Sequence, residues 1–368
     1  MASDGLARTL RLATAGAKPR LSAKARAALL TCTDFVGLAE LATAHRVAPW
    51  LAAAVASEPA VTALPGAAFI RQAGGSQVMR TLGLFAELTQ VVRMLNRLEI
   101  PVVVLKGPDV AQRFYPESGL RPYSDIDILI HESDLAQVMA LLKDRGYEDK
   151  NEADDPDPHR LHDCHGIFQR IFMNHTTGHI VEVHCDHLQI GLEPVSMDKI
   201  WTRSSEAKFA SASANVLEPH DLFVQLCVHL NRHGYERLVW FKDIDLLVRG
   251  GTMDWEQVTA KAEEQGCLGA VSYTLMLLPK VLGTPMPEGA VRLSTAQGRA
   301  SRLLYQRMWP AKRVLRLEPQ RQWRFRRLVQ FAPETGFIRG GLPSFLTTGR
   351  RRDKLRVMLA GARNGAGH

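Results

Sequence analysis

The chain has 368 residues, of which 46% are hydrophobic and 23% charged, a composition that excludes a mainly disordered or fibrous protein. No uncharged apolar stretch reaches the roughly 18 residues of a membrane span, and no secretion signal is evident, so we expect a cytoplasmic protein. Five cysteines without paired spacing fit a reducing compartment. The net charge of +8 is uneven: residues 291–368 carry 18 basic and three acidic side chains, a net of +15, which leaves about −7 elsewhere.

The first half of the chain changes from helical to strand-like patterns. Apolar residues at three- and four-residue spacing predict helices, and Asp34 is expected to cap a helix that begins near Phe35. A β-branched apolar run and a period-two run predict two strands. In chain order the prediction is helix over 22–56 and 77–98, strand over 102–105, helix over 108–114, loop over 115–123, strand over 125–130 and helix over 133–145.

The second half begins with a polar loop over 148–158 and continues with two apolar runs, 167–173 and 180–183. The polar residues between these runs indicate a hairpin. From Pro219 onward the apolar periodicity is helical. It predicts helices over 221–229, 238–248, 255–265 and 268–282.

Two aspartates in the second predicted strand suggest metal chemistry. Asp125 and Asp127 are two residues apart, so a strand places both carboxylates on one face. Adjacent anions repel unless a cation lies between them, and oxygen ligands suit Mg²⁺. Glu182 is a charge within an apolar strand run, which is costly unless it is paired or coordinated. These three acids are the predicted metal ligands, although a lone Asp-x-Asp also occurs by chance on exposed strands.

The order of these segments resembles a known family. Its most specific stretches are Lys106-Gly107, Tyr115-Pro116, Gly119-Leu120-Arg121-Pro122, Ser124-Asp125-Ile126-Asp127-Ile128-Leu129 and Val181-Glu182-Val183-His184. They resemble the uncharacterised nucleotidyltransferase family within the DNA polymerase beta-like superfamily. The resemblance spans roughly residues 38–287.

The resemblance implies an α+β fold, with a small mixed sheet flanked by helices. It also implies Mg²⁺-dependent (or Mn²⁺-dependent) transfer of a nucleoside monophosphate from an NTP such as ATP to an unidentified small-molecule, sugar-phosphate or protein acceptor. The implied organisation is an N-terminal helical region (1–75), a nucleotidyltransferase core (76–200), a helical domain (201–288) and a basic, mostly helical C-terminal region (289–368).

Residue roles follow from the same resemblance. Asp125, Asp127 and Glu182 match the metal-binding acids, and His184 is expected to orient a carboxylate or relay a proton. The Gly-Ser that is usual in the superfamily is replaced here by Lys106-Gly107. Lys106 can therefore act as a point charge on the triphosphate, and Arg121 can clamp a phosphate by a bidentate contact. The expected nucleotide-binding residues are Lys106, Gly107, Arg121 and Ser124.

Three alternatives remain open at this stage. The same site could transfer another phosphate group, and the basic C-terminal region, with Trp309, Trp323, Phe325 and Phe331, could bind nucleic acid. A zinc site is also conceivable, although the spacing of its ligands is unusual. Its candidate ligands are His159, His162, Cys164, His165, Cys185 and His187. In the helical block, His229, His233 and Asp243 are polar residues among apolar ones, for which we favour a hydrogen-bonded helix interface over a role at the nucleotide.

Overall fold

Short segments of the chain pair into one mixed sheet. The computed structural model describes residues 4–150, 169–186, 188 and 197–317. In this part of the chain the strands are β1 (Val103–Leu105), β2 (Ile126–Leu129), β3 (Tyr147–Asp149), β4 (Gln169–Asn174), β5 (Ile180–His184), β6 (Ser205–Phe209) and β7 (Ala212–Val216). Their order in the sheet is β3-β4-β5-β2-β1-β7-β6. The pairs β1–β7 and β2–β5 are parallel and the other pairs are antiparallel. The predicted α+β class with a mixed sheet is therefore confirmed.

Helices surround this sheet. They are α1 (Asp4–Thr14), α2 (Ala23–Leu30), α3 (Phe35–Ala44), α4 (Ala48–Ala56), α5 (Pro59–Thr62), α6 (Ala67–Arg97), α7 (Gly107–Phe114), α8 (Leu135–Asp144), α9 (Met197–Arg203), α10 (Pro219–Arg232), α11 (Leu238–Gly250), α12 (Trp255–Glu264), α13 (Leu268–Leu282), α14 (Glu288–Thr295), α15 (Arg299–Met308) and α16 (Ala311–Leu315). Single 3₁₀ turns lie at Ser118–Leu120 and Glu132–Asp134.

Alternating strand residues face two different apolar cores. Val104, Ile126 and Ile128 pack in the core that includes α6 and α8. Val103 and Leu129 instead join the core formed by α1–α4 and the helices after β7. Asp127 lies between Ile126 and Ile128, so its side chain points toward the second of these cores. The expected region boundaries after residues 75, 200 and 288 stay predictions, although the N-terminal helices and the later helices share this core.

The helix before the first strand begins earlier than the sequence pattern indicates. The prediction started it at residue 77, whereas α6 begins at Ala67 and runs through Gly74 and Gly75. A Cβ at Gly74 would lie 2.6 Å from the Cβ of Ala52 in α4. Glycine at this position therefore allows α4 and α6 to approach closely, and packing offsets its low helix propensity. The cap by Asp34 is confirmed, because its side chain accepts a hydrogen bond from the Gly37 N–H at 2.7 Å.

The last described helices pack onto the helical core. Trp309 is 1% exposed and packs against Tyr235 and Tyr305. The Trp309 indole is therefore enclosed by aromatic neighbours and does not face a partner, whereas nucleic-acid binding by the basic C-terminal region stays an untested alternative. Trp323, Phe325 and Phe331 lie outside the described residues. No helix in the described part of the chain is long and apolar enough to cross a membrane.

Candidate active site

The turn between β1 and α7 places a lysine over the sheet. Lys106 has a left-handed backbone, with φ of 49°, and directly precedes Gly107, the first residue of α7. A Cβ at Gly107 would lie 2.9 Å from the Cβ of Tyr123 and 3.0 Å from Nη1 of Arg121. Only glycine fits this close approach without a shift of its neighbours. The Lys106 side chain is 7% exposed, and its Nζ lies 2.8 Å from Oδ1 of Asp127.

Strand register brings the acids together. Asp127 in β2 is the partner of Leu105 in β1 and of Glu182 in β5. Because β2 and β5 are parallel and in this register, the side chains of Asp127 and Glu182 lie side by side on one face of the sheet. His184 follows two residues after Glu182 and shares that face. Glu182 therefore lies beside Asp127 on the neighbouring strand, and its predicted role as a metal ligand stays a prediction.

Possible metal-ligating atoms of Asp127, Glu182 and His184 all lie within 4.8 Å of one another. Nε2 of His184 is 2.9 Å from Oδ1 of Asp127 and 3.7 Å from Oε2 of Glu182. Oδ1 of Asp127 therefore contacts both Lys106 and His184. These contacts fix the position of the Asp127 carboxylate.

The two carboxylates differ in protonation. Burial opposes ionisation of Asp127, but Lys106 and His184 outweigh it and hold the pKa of this carboxyl well below its usual range. Burial, together with the charges of Asp127 and Asp125, raises the pKa of Glu182 to about 8. At neutral pH, Asp127 is therefore ionised and Glu182 holds a proton, which avoids repulsion between two negative charges. A bound cation would also remove this repulsion. Burial lowers the pKa of His184, so its imidazole is uncharged at neutral pH.

Asp125 lies at the edge of this group. It precedes the first residue of β2, is half-buried, and its Oδ2 accepts a hydrogen bond from Oγ of Ser124 at 3.0 Å. Its charge contributes to the raised pKa of Glu182. It does not belong to the group of Asp127, Glu182 and His184, whose possible ligand atoms lie within 4.8 Å of one another. Its predicted role as a metal ligand stays a prediction, as does the predicted contact of Ser124 with nucleotide.

Arg121 forms a buried ion pair with Asp243 of α11. Nε and Nη2 of Arg121 lie 3.1 and 2.6 Å from the two carboxylate oxygens, and the Tyr115 hydroxyl donates to Oδ1 of Asp243 at 2.8 Å. Both charged side chains are at most 5% exposed. The edge of the guanidinium formed by Nε and Nη2 is therefore already used by Asp243, while Nη1 lies near Gly107. The predicted phosphate clamp by Arg121 stays a prediction. The hydrogen-bonded helix interface favoured for Asp243 is confirmed.

Aromatic and imidazole rings from α10 and α11 lie across from the acids. The ring centroids of His229, His233 and Trp240 are 4.5 to 4.9 Å apart, and the Arg237 guanidinium lies 5.0 Å from the Trp240 ring. Burial lowers the pKa of His229 well below its usual value. His233 is exposed on one side, but enough protein surrounds it that burial lowers its pKa to about 3. These histidines are neutral, and the charge of Lys106 contributes to both pKa shifts.

The candidate zinc ligands are largely outside the described structure. This applies to His159, His162, Cys164, His165 and His187. Cys185 is half-buried, and burial raises the pKa of its thiol to about 12. The thiolate that zinc requires is therefore disfavoured at this position in the absence of a metal.

Comparison with known protein families gives the class of protein to which this site belongs. The model of the uncharacterised nucleotidyltransferase family matches residues 31–283, more than half of the chain, and the chain belongs to this family. A solved structure of an antigenic nucleotidyltransferase-like protein from Paracoccidioides brasiliensis is distantly similar, with 12% identity and a TM-score of 0.37 over 56% of this chain and 95% of that one. No curated protein matches the chain.

Proposed function

We propose that the protein is a Mg²⁺-dependent enzyme that transfers a nucleoside monophosphate from an NTP to a hydroxyl acceptor. The observation that carries the proposal is the side-by-side placement of Asp127 and Glu182 on parallel strands, with Lys106 on Asp127. Family membership supports the class of reaction. The proposal specifies the acceptor only as a compound with a hydroxyl group. The sequence leaves open whether it is a small molecule, a sugar phosphate or a protein.

The donor set fits a hard divalent cation. Asp127 and Glu182 offer carboxylate oxygens within 4.8 Å of one another, and oxygen ligands are those that Mg²⁺ prefers. Burial and, after it, the charges of Asp127 and Asp125 raise the pKa of Glu182, and such an ion would remove the repulsion between these charges. Asp127 and Glu182 would hold the ion, with Asp125 as the third carboxylate. When bound, it supplies positive charge that polarises the phosphoryl group and stabilises the leaving pyrophosphate.

The side chains around this pair have separate roles in the proposed reaction. Lys106 and His184 hold the Asp127 carboxylate in place through its Oδ1, which favours orientation over proton relay as the role of His184. The acceptor oxygen forms a bond to the α-phosphorus, the bond from that phosphorus to the oxygen bridging to the β-phosphorus breaks, and pyrophosphate leaves. Glu182 is our candidate to receive the hydroxyl proton, because a bound cation would favour its ionised form, and only the ionised carboxylate can accept a proton.

Labelled nucleotides test the proposal. We expect incubation with each NTP, Mg²⁺ and candidate acceptors to move the α-phosphate label, with a matching mass increase on the acceptor. Replacing Asp125 and Asp127 together by Asn should abolish the transfer and leave the fold intact. Glu206→Gln is the matched control, since Glu206 is an exposed acid on the edge strand β6. Movement of the γ label alone would instead indicate a phosphoryl transferase at this site and would refute nucleotidyl transfer.

A further inference from the structure

Lys106 reaches Asp127 from a backbone conformation that lysine rarely adopts. Its φ of 49° and ψ of −110° are values that glycine tolerates and that residues with a Cβ avoid. The Lys106 carbonyl accepts a hydrogen bond from the Val110 N–H at 2.8 Å, which fixes this residue at the start of α7. The pairing of Leu105 with Asp127 places the lysine next to the aspartate's partner in β1. The fold therefore keeps a strained residue at the position from which a cation contacts Asp127.

One oxygen of Asp127 already accepts two hydrogen bonds. The Lys106 ammonium lies 2.8 Å from Oδ1, and Nε2 of His184 lies 2.9 Å from the same atom. The three side chains are buried, with exposed fractions of 7% for Lys106, 6% for Asp127 and 0% for His184. Because a carboxylate only accepts, Nε2 carries the hydrogen of its contact and offers no lone pair to a metal. While these contacts persist, neither Oδ1 nor Nε2 is available as a metal ligand.

A site for two divalent ions makes a greater demand on its central carboxylate. The ions of such a site are about 3.5–4 Å apart, so the acid between them usually offers one oxygen to each. Asp127 is the central acid here, because it follows Asp125 by two residues and pairs with Glu182 on β5. With Oδ1 engaged, Asp127 has only Oδ2 left for a metal. It therefore cannot bind two ions through separate oxygens.

The formal charges of this group agree with a single ion. Asp125, Asp127 and Glu182 bring three carboxyl groups together. Among the described residues, Lys106 is the one lysine or arginine that forms an ion pair with any of them. When all are ionised, three carboxylates and one ammonium leave two negative charges, which is what one divalent ion neutralises. A second divalent ion would have to be balanced entirely by the bound nucleotide.

We infer that Lys106 takes the place of a second divalent ion, so that the acid group binds one ion and the ammonium supplies the other positive charge. Lysine suits this role because its ammonium is a compact point charge with several donors. Unlike a second metal ion, it is present at every metal concentration. The contact of Lys106 with triphosphate that the sequence suggests would require Nζ to leave Asp127. The inference rests on the proposed function and deepens it by fixing the number of ions.

The number of bound ions can be measured without turnover. The full chain is titrated with Mn²⁺, alone and with a non-transferable α,β-methylene analogue of ATP, and electron paramagnetic resonance follows the ion. Two Mn²⁺ ions at the spacing of a two-metal site couple magnetically, whereas an isolated ion keeps its uncoupled hyperfine spectrum. We expect wild type to bind one ion with an uncoupled spectrum under both conditions. A magnetically coupled pair in wild type would overturn the inference.

A variant of Lys106 tests whether the lysine is the reason. Lys106→Gln keeps a donor for Asp127 but removes the charge, so it should bind Mn²⁺ about tenfold or more tightly than wild type and admit a second, coupled ion. Lys199→Gln is the matched control, since Lys199 is an exposed lysine paired with Glu264. If Lys106→Gln binds Mn²⁺ with the number and affinity of this control, the inference is wrong.

Melting temperatures decide the case in which Lys106→Gln is too unstable to titrate. Loss of the ammonium leaves Asp127 without its counter-charge, and Mn²⁺ should replace it. Mn²⁺ should therefore raise the melting temperature of Lys106→Gln more than that of Lys199→Gln. Equal shifts in the two variants would overturn the inference.

The proposed function and this inference fail in different ways. If wild type holds one uncoupled ion and Lys106→Gln admits a second, but no α label moves, nucleotidyl transfer is refuted and the single-ion site stands. If the α label moves while wild type holds a coupled pair, the proposed function stands and the inference is wrong. Binding of no divalent ion by wild type would overturn both.

Discussion

The buried Arg121–Asp243 pair and the group of Lys106, Asp127 and Glu182 differ in how their charges are balanced. Asp243 has one cation, contacted through both oxygens, and a tyrosine hydroxyl. In the second group, one lysine faces two carboxyl groups, and the pKa values of the two carboxyl groups move in opposite directions. The charges of the first arrangement are balanced by the pair itself, whereas those of the second are balanced when Glu182 holds a proton or, in our proposal, when a cation binds. Burial alone therefore does not distinguish a structural ion pair from a reactive one.

Removing charge from the Arg121–Asp243 pair should have the largest effect on stability. Asp243→Asn keeps the shape of the side chain but leaves the Arg121 guanidinium buried without a counter-charge. We expect the free energy of unfolding to fall by about 3–5 kcal/mol, as is usual when one partner of a buried pair is lost. Urea denaturation followed by circular dichroism measures the change.

Asp198→Asn is the matched control, since Asp198 lies in the first turn of α9 at an exposed position. An Asp243→Asn protein as stable as this control would show that the Arg121–Asp243 pair is not the structural contact we describe.

Removing charge from the group of Lys106, Asp127 and Glu182 should have the opposite effect on stability and a large effect on catalysis. Glu182→Gln removes a carboxyl group whose pKa is raised to about 8, above its unfolded value. Wild type loses stability as pH rises from about 4.5 through 8, because only the unfolded state ionises freely there. Without divalent ions at pH 8, the variant should therefore be more stable than wild type. Its α-label transfer should fall on the order of 10²–10³-fold.

Two measurements on the same Glu182→Gln protein check this prediction: melting temperature in a chelator, and transfer rate with Mg²⁺. Loss of stability in the chelator would mean that the repulsion between Glu182 and Asp127 is not significant. Full activity would remove Glu182 from the site.

The contact from His184 to Asp127 should have an intermediate effect. His184→Leu removes the ring nitrogen that lies 2.9 Å from Oδ1 of Asp127, whereas His184→Gln can still donate there. Loss of an orienting partner typically costs about 10–100-fold in metal affinity or activity. We expect the Mg²⁺ concentration for half-maximal transfer to rise in the Leu variant and much less in the Gln variant. Equal behaviour of the two variants would refute the orienting role.

The comparison also explains what could be predicted from sequence. The strand, Lys-Gly turn, helix, loop and strand are local patterns, and Glu182 stands out as a charge in an apolar strand, so the acid group was recognisable. The register that pairs Asp127 with Glu182 was not recognisable from sequence, because it depends on how β2 and β5, which are distant along the chain, align in the sheet. The Asp243 partner of Arg121 depends on how α11 packs against the loop before β2, which no local spacing encodes.

The hairpin of β6 and β7 was missed for a local reason. Its turn places Ala210 at φ 52° in place of the Gly or Asn that usually marks such a turn. Strand β6 is largely exposed, so it lacks clear apolar alternation. For these two reasons the sequence pattern does not predict β6 and β7, although they form one edge of the sheet.

The smallest effect that we predict concerns His45 and the dependence of the protein's stability on pH. His45 is 6% exposed, and burial lowers its pKa to about 4, assisted by the charge of Arg237. Below pH 6.5 the unfolded state binds a proton that the folded state refuses, so stability falls as pH decreases from 6.5 toward 4. At pH 5 this histidine should account for about 2 kcal/mol of the lost free energy of unfolding relative to pH 7.

Urea unfolding at pH 7, 6 and 5 should therefore show a shallower decline in the free energy of unfolding for His45→Gln than for His175→Gln. His175→Gln is a matched control because His175 is exposed. Equal slopes in the two variants would show that His45 is not held neutral by its surroundings.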